Sequence, residues 1–238
     1  MAKPVRTQYF YFDGEDSRSY GIYMENPIEI SGAEPILETV QIPGRSGALL
    51  LYDGSYENVS FQADCFIVGK HPDAALRAIA DWTVGAKGYR RLELPWEDGY
   101  RMAYITNGPE TLLKARRLRP FSIQFACKPQ VFTYDGEIPV AMTKSGSLWN
   151  WGMTALPLVK VYGNGSGTVT IGTRTVVLGG IESYVMLDCE IQDAYKGSTN
   201  KNSTISAPEF PELAPGENRV SFTGGVTKLE ITPRWWHL

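Results

Sequence analysis

The sequence predicts a mainly β protein with one substantial α-helix in its first half. Short segments alternate between apolar and polar residues, as half-buried strands do. Glycine, proline, asparagine and aspartate separate these segments at short intervals, which is typical of turns. Only one segment repeats its apolar residues with the period of a helix. A chain of 238 residues is long enough for one large or two ordinary domains.

The first strand of the chain is predicted in TQYFYF, residues 7–12, before the turn residues DGEDS. The clearest strand is VSFQADCFI, residues 59–67. Asp53-Gly54 follows the apolar run ALLLY, and this pair predicts a hairpin turn that joins the run to the strand. Pro43-Gly44 is a further turn signal. Because side chains alternate along a strand, one face of residues 59–67 should carry Val59, Phe61, Ala63, Cys65 and Ile67.

The helix is predicted at about residues 72–84, within HPDAALRAIADWTVG. Pro72 suits a first helical turn and Gly85 suits the stop. Strands resume in YRRLEL, YRMAYIT and RPFSIQFACKP, whereas NGPETLLKARRLRP is predicted to be a hairpin arm or a mobile loop. The expected apolar face of the helix consists of Ala75, Leu76, Ile79, Ala80 and Thr83.

The second half is predicted to be all-β. Six short strands are expected, in PLVKVYG, GTVTIG, RTVVLG, SYVMLDCE, NRVSFTGG and KLEITPRWW. Many short strands with glycine-rich turns are typical of a sandwich or jelly roll. Regular alternation is lost before them, so we expect an N-terminal domain at residues 1–135, a linker at 136–152 and a C-terminal domain at 153–238.

Composition and charge limit which kinds of partner the protein is expected to bind and in which cellular compartment it is expected to fold. The net charge of −3 argues against nucleic acid as the main partner, because phosphate binding needs a basic surface. The three cysteines are far apart and odd in number, so no disulfide framework is expected, and Cys65 and Cys127 should be small buried apolar residues. No signal peptide and no membrane-spanning run is evident. These features predict folding in a reducing, soluble compartment with no membrane partner.

No catalytic motif is evident in the sequence. GNGSGT, residues 163–168, is predicted to be a hairpin turn and not a phosphate loop, because a strand follows it and Thr168 stands where lysine is required. His71 and His237 are the two histidines, and no GxSxG motif is present. We expect no catalytic residue, no metal site and no cofactor. Two carboxylates brought together by folding could still form a glycosidase pair.

A basic segment is the first candidate for binding. Lys114, Arg116, Arg117 and Arg119 lie within six residues of one another. They fit a solvated loop or a contact with a neighbouring subunit equally well. Direct DNA binding fits less well, because the whole chain is acidic.

The tryptophans are the second candidate. Trp149, Trp151, Trp235 and Trp236 lie in or next to the second half. Exposed tryptophans on a β-sandwich can stack on sugars or anchor a protein interface, although core packing is their commonest role. Adjacent residues of a strand point to opposite faces, so Trp235 and Trp236 cannot fill the same core, and the outer one is expected to be covered.

The order of these segments resembles that of the distal tail proteins of long-tailed, non-contractile bacteriophages, especially those of Gram-positive hosts. The resemblance covers nearly the whole chain. It rests on turn and strand motifs: VQIPGRSGALLLYDGSYENVSF, PLVKVYGNGSGTVTI and the closing run FPELAPGENRVSFTGGVTKLEITPRWWHL, together with the helix and RPFSIQFACKPQVF.

The resemblance implies a fold and a structural role. It implies an N-terminal β-sandwich with one α-helix and a protruding hairpin, and a C-terminal galectin-like or jelly-roll β-sandwich. Such proteins form a homo-hexameric ring that joins the tail tube to a tail-associated fibre or lysin protein, and in some phages to receptor-binding proteins. DNA would only pass through the lumen. The implied location is the virion tail tip, assembled in the host bacterial cytoplasm, with no catalysis.

Within this resemblance, specific residues are candidates for contacts between subunits. The segment IPGRSGALLLYDGSY is expected to form a shaped edge of the ring, and the basic segment is expected to reach an acidic turn of the next subunit. An alternative function is a carbohydrate-binding module that uses Trp149, Trp151 and Trp236, and a carboxylate-pair glycoside hydrolase is a more distant one. The expected subunit contacts are Arg45, Lys114, Arg116, Arg117 and Arg119, with Asp13, Glu15 and Asp16 in the acidic turn.

Overall fold

The structure is a computed structural model that describes residues 8–25, 30, 32–69, 72–85, 87–117 and 120–238. Its contacts divide the chain into two compact units. Unit 1 is Met1–Val131 with Leu238, and unit 2 is Phe132–His237. Both units consist mostly of antiparallel strands, which confirms the predicted mainly β class.

Unit 1 contains one curled antiparallel sheet with the strand order β2-β1-β7-β8-β9-β6-β3. The sheet curls back on itself, because Gln8 precedes β1 at one end and pairs with Met24 of β3 at the other. The strands are β1 (Tyr11–Phe12), β2 (Glu15–Asp16), β3 (Ile22–Met24), β6 (Val59–Ile67), β7 (Arg90–Glu93), β8 (Tyr100–Ile105) and β9 (Phe121–Phe132), with a 3₁₀ turn at Ser17–Tyr20.

The concave side of this sheet holds an aromatic core. Phe125 of β9 lies at its centre, with ring centroids 5.8 Å from Phe10, 5.7 Å from Phe12 and 5.3 Å from Phe61. Trp82 contacts the same phenylalanines, 5.6 Å from Phe10 and 6.1 Å from Phe12. The predicted alternation of β6 is confirmed, since residues 59, 61, 63 and 65 are buried and those between them are exposed.

Two helices accompany the sheet. Helix α1 (Asp73–Ala80) continues as a π-helical turn (Asp81–Gly85), so the predicted helix is found. Its buried stripe differs from the predicted face: Ala80 and Thr83 are only partly buried, whereas Ala78 and Trp82 are buried with Ala75 and Ile79. The difference arises because Trp82 packs in the core next to Phe10 and Phe12, so the side of the helix that carries Trp82 is the buried side.

A second helix corrects the expectation of a single substantial one. Helix α2 (Gly108–Arg116) occupies the segment predicted to be a hairpin arm or a loop. Among the side chains that the structure describes in this helix, Thr111 and Ala115, four residues apart, are fully buried, whereas Leu113 is 62% exposed. A helix that buries small residues and exposes leucine lacks the apolar period by which helices are predicted from sequence.

A separate hairpin lies between β3 and β6. Strands β4 (Pro35–Val40) and β5 (Leu49–Tyr56) pair with each other and, among the described residues, with no other strand. Asp53-Gly54 is therefore not the predicted turn but a bulge within β5, where Gly54 has φ of 89° and Asp53 accepts the Ser55 amide at 2.9 Å. The turn lies around Pro43-Gly44, as the second signal indicated.

Unit 2 is built on three long strands. They are β12 (Leu158–Ile171), β13 (Arg174–Asp188) and β17 (Gly216–Thr232), within the sheet order β10-β17-β12-β13-β14-β15. Short strands pair with only one half of a long strand: β10 (Val140–Met142) and β11 (Gly146–Asn150) on β17, and β14 (Asp193–Lys196) and β16 (Ile205–Ser206) on β13. The remaining elements are β15 (Thr199–Asn200), β18 (Trp236–His237) and 3₁₀ turns at Asp135–Glu137 and Asn202–Thr204.

Each long strand passes through a glycine corner, which we define as Gly163, Gly165 and Gly167 of β12, Gly179 and Gly180 of β13, and Gly224 and Gly225 of β17. The pairing of β12 with both neighbours shifts register there, while buried valine, isoleucine and leucine continue on both sides in one core. The six predicted strands are therefore three, and the GNGSGT segment is a bulged corner and not a hairpin turn. Bulges and glycines let a strand bend sharply enough to serve both layers of a sandwich.

The segment 136–152 also differs from its prediction as a linker. It contributes β10 and β11, and both pair with β17. The segment was misread because these strands are only three and five residues long and are mostly exposed, so they show no alternation.

We predict that Gly163→Ala destabilises unit 2 by about 1–3 kcal/mol, in the range of overpacked sites. A Cβ at Gly163 would collide with the carbonyl oxygen of Gly225. The matched control is Gly180→Ala, where a Cβ meets no atom within 4 Å. Urea unfolding of the full chain, followed by tryptophan fluorescence, should show a lower midpoint for the first variant alone. Equal midpoints would contradict the proposed packing at the corner.

Candidate functional site

The β4–β5 hairpin forms an exposed apolar ribbon, a name we use for residues 35–56. Leu37 pairs with Tyr52 and Thr39 with Leu50, so Leu37, Leu50 and Tyr52 share one face, while Leu51 lies on the other. Leu50 is 60% exposed and Leu51 46% exposed. A two-stranded hairpin is marginally stable in water, and soluble surfaces seldom expose contiguous large apolar side chains. This combination favours a protein interface.

The loop at the end of the ribbon presents Arg45. Gly44 and Gly47 have φ angles of 81° and 83°, a left-handed conformation that favours glycine. The Arg45 amide donates to the Ile42 carbonyl at 3.1 Å, which closes the turn. The Arg45 residue is exposed, as the sequence led us to expect of a contact residue.

The basic segment lies at the C-terminal end of α2. Lys114, Arg116 and Arg117 are exposed, and cations are favourable at this end of a helix because they complement its dipole. Arg119 lies outside the described residues, as does His71. The segment is thus a helical surface and not a loop, which fixes the spacing of its charges.

The acidic turn is occupied by partners within unit 1. Asp13 pairs with Arg90 at 3.3 Å, and Glu15 accepts the Tyr20 hydroxyl at 2.7 Å. Asp16 accepts Arg18 through both carboxylate oxygens, and the hydrogen bonds from Arg18 hold the pKa of Asp16 below its ordinary value. A partner that binds these carboxylates must compete with their internal contacts, so their predicted pairing with the basic segment stays a prediction.

Unit 2 contains a tryptophan cleft of about 270 Å³. Trp149 and Trp151 are two residues apart at the end of β11, and their ring centroids are 5.2 Å apart with the planes at 45°. Trp149 is 52% exposed and Trp151 89% exposed. The structure brings together the three predicted aromatics and adds further residues, so that the lining is Thr133, Asp135, Trp149, Trp151, Gly152, Trp235, Trp236 and His237.

Buried hydrogen bonds hold the loop that carries Trp151. The amide of Asn150 donates to the carbonyls of Met153 and Leu213, both at 2.8 Å, and its oxygen accepts the Gly152 amide at 2.8 Å. Trp236 joins the same loop, since its indole N–H donates to Thr154 at 3.0 Å and its carbonyl accepts the Met153 amide at 3.0 Å.

The position of Trp235 and Trp236 depends on Arg234. This residue has a φ of 57°, in the left-handed region that non-glycine residues seldom adopt. Its guanidinium binds Asp188 at 2.7 and 3.0 Å. Burial alone would raise the pKa of Asp188, but hydrogen bonds and charge from Arg234 hold it below its ordinary value. The ion pair thus holds Arg234, the residue directly before the two tryptophans that line the cleft. Both pack against the core of unit 2 and are partly buried, so the prediction that they could not share a core is wrong. The physical reason is that β18 begins at Trp236, so the two residues do not lie in one strand and need not alternate.

The cleft residues that the sequence did not single out come from separate parts of the chain. Asp135 lies in a 3₁₀ turn at the start of unit 2, and His237 lies in β18 at its end. No spacing rule joins residues about one hundred positions apart. Asn150 and Arg234 were missed because an asparagine and an arginine in a loop are normally solvated.

The described residues offer no group suited to cysteine or metal chemistry. Cys65, Cys127 and Cys189 are unpaired and buried, and burial raises the pKa of Cys127 and of Cys189 to about 12 and that of Cys65 still further. Within the described ranges, no three His, Cys, Asp or Glu side chains converge as metal ligands would. In the same ranges, none of the helices has the length and apolar character needed to cross a membrane.

These features define a class of protein: a mainly β chain of two units, in which the first carries an apolar ribbon and the second is folded from three bent strands. A matching solved structure is the crystal structure of SPP1 Dit (gp 19.1), described as a paradigm of the hub adsorption apparatus in phages that infect Gram-positive bacteria. The TM-score is 0.62 at 13% sequence identity, and the match covers 98% of this chain and 100% of that chain. No protein-family model and no curated protein matches the sequence. The likeness shows a shared fold.

We predict that none of the three native thiols reacts with a thiol-specific reagent at pH 8, because each is buried and a raised pKa leaves little thiolate. All three should react in denaturant. Ser145→Cys places a thiol at an exposed position and is the positive control. Rapid labelling of a native thiol, detected by mass spectrometry, would contradict this prediction.

Proposed function

We propose that this protein is a structural component of a bacteriophage tail tip: a hexameric ring hub that joins the tail tube to the tail fibre and the host-adsorption apparatus. The single observation that carries the proposal is the likeness to SPP1 Dit over nearly the whole chain. The apolar ribbon supports it independently, because a ring subunit needs a surface that only a neighbour covers.

The ribbon suits a head-to-tail contact. Its two faces carry different apolar residues, Leu37 and Leu50 on one and Leu51 on the other. A surface with two unlike faces can be covered on each side by a different part of a neighbour, which is the pattern of a heterologous interface. Such an interface closes into a ring or continues as a filament. Six copies is the stoichiometry that the family resemblance implies.

The basic segment is the second proposed contact. Lys114, Arg116 and Arg117 would meet carboxylates of the next subunit, with Arg45 at the ribbon tip as a further cation. The acidic turn of Asp13, Glu15 and Asp16 is the proposed partner, in exchange for part of its internal pairing. Charge complementarity of this kind sets the register and speeds association more than it adds affinity.

The remaining partners follow from the proposed place of the ring. The tail tube protein would bind on one side and the tail-associated fibre or lysin protein on the other, with a receptor-binding protein as a further partner. DNA would pass through the lumen without a dedicated site. The protein would be assembled in the cytoplasm of the host bacterium and reside in the virion. This role requires rigid surfaces and no catalytic group.

We predict that the purified chain forms annular particles with a mass near six times 26.4 kDa. Leu37→Lys together with Leu50→Lys should yield folded monomers, because burying each leucine contributes about 1.5–3 kcal/mol. The loss over two leucines corresponds to a rise in the dissociation constant of about 100-fold or more. Light scattering with size exclusion and negative-stain images are the measurements.

Ile191→Lys is the control, since Ile191 is similarly exposed but belongs to unit 2 and not to the ribbon. It should leave the rings intact. A wild-type chain that stays monomeric at high concentration and ignores both the tube subunit and the fibre protein would refute the proposed function.

We predict that Arg116→Glu with Arg117→Glu weakens the ring at low salt. The loss should shrink at about 1 M salt, where the screening length falls to about 3 Å. Lys87→Glu with Lys144→Glu changes the net charge equally at two other exposed sites and should have little effect. Sedimentation velocity measures the fraction of each variant that remains in rings and so distinguishes the arginine variant from the lysine control. Rings of the arginine variant that persist unchanged at moderate salt would exclude this contact.

A further inference from the structure

The tryptophan cleft of unit 2 exposes aromatic surface that the fold itself does not need. The Trp151 side chain is 89% exposed, so it contributes almost nothing to the core. Removing apolar surface from water is favourable. Trp149 and Trp151 are both exposed and share the cleft with Trp235 and Trp236, so the four indoles form an apolar surface that a ligand can cover.

Polar groups surround the aromatic walls. Thr133 supplies a hydroxyl, Asp135 a carboxylate and His237 an imidazole around the same cavity of about 270 Å³. The Thr133 hydroxyl donates to the Trp235 carbonyl at 3.5 Å and can still accept from a ligand hydroxyl, and the Asp135 carboxylate can accept from further ligand hydroxyls. Among the described residues that line the cleft there is no lysine or arginine, so the lining does not match a phosphate or another anion.

We propose that the cleft is a carbohydrate-binding site, in which a pyranose ring of a glycan lies with its C–H face on the tryptophans and its hydroxyls towards Asp135, Thr133 and His237. A sugar ring combines an apolar face with a polar rim, which is the combination that this lining complements. At about 270 Å³ the cleft is slightly smaller than typical small-molecule pockets, which span about 300–1,000 Å³, so it suits a single sugar ring of the glycan. A protein partner would require about 800 Å² on each side, far more surface than the cleft offers.

The walls are held in place before any ligand binds. Three hydrogen bonds of Asn150 fix the loop at Gly152, and the Trp236 indole is tied to Thr154. A Cβ at Gly152 would collide with the Trp236 carbonyl, so the two walls touch through their backbones. A preorganised site loses less entropy on binding.

This site does not depend on ring formation. All of its residues belong to unit 2, whereas the ribbon and the basic segment belong to unit 1. A glycan site could accompany the proposed hub or exist without it. The mass of the particles tests the hub, and ligand binding tests the cleft, so the two can fail separately.

The test titrates the full chain with cellotetraose, chitotetraose and mannotetraose, and separately with choline, by tryptophan fluorescence and calorimetry. At least one saccharide should bind and change the fluorescence, and Trp151→Ala should weaken that binding by about tenfold or more. Trp151→Tyr should retain part of it. Trp96→Ala removes a partly exposed tryptophan of unit 1 and should bind like the wild type.

A second variant separates a sugar from a cation. Asp135→Asn removes the charge and replaces one acceptor oxygen by an NH2 donor, which a ligand hydroxyl can still satisfy, so saccharide binding should weaken but persist. An aromatic cage for a quaternary ammonium would instead lose affinity when the carboxylate is neutralised. Three results would each overturn the proposal. They are binding of choline without binding of any saccharide, no response to any saccharide up to about 10 mM, which is well beyond weak millimolar binding, and saccharide binding by Trp151→Ala that equals that of the wild type.

Discussion

Unit 2 depends on a place where backbone lies directly against backbone. At the glycine corner, β12 and β17 approach so closely that side chains at Gly163 or Gly225 would overlap the opposite strand. This contact lets the same three strands build both layers of the sandwich, with Val159 and Val169 of β12 buried on either side of the bend. Bulges and glycines are how strands turn such corners. Without them the two halves of each long strand could not bury their apolar residues in one core.

Unit 1 solves a different problem, because its sheet curls around the ring of Phe125 and leaves the ribbon outside that core. The ribbon has backbone pairing but almost no buried side chains, so its stability is low when it is alone in water. The segment connects through only two residues to β6, which belongs to the core sheet. An exposed apolar hairpin of this kind would gain stability from any partner that covers it.

Local patterns predicted unit 1 well where one face of a strand or helix is buried by large apolar groups. Alternation in β6 is such a case. Apolar periodicity did not predict α2, because Thr111 and Ala115, which are fully buried there, are small residues that leave no large apolar stripe in the sequence. The local pattern also failed at Asp53-Gly54, where the same two residues that form tight turns became a bulge. The choice between a turn and a bulge depends on which strand lies opposite, and β4 lies more than ten residues away.

The sequence by itself determined the mainly β class, the helix near residues 72–84 and the buried cysteines, because these follow from the order of apolar and polar residues within about ten positions. Only the tertiary structure decided that glycine pairs bend strands and do not end them, since a bend is distinguished from a turn by hydrogen bonds to distant partners. Only the tertiary structure, too, brings Asp135, Trp151 and Trp236 together in one cleft. Tryptophan side chains carry no local signal of exposure, because the same residue packs in a core or stands at a surface according to what the rest of the chain places beside it.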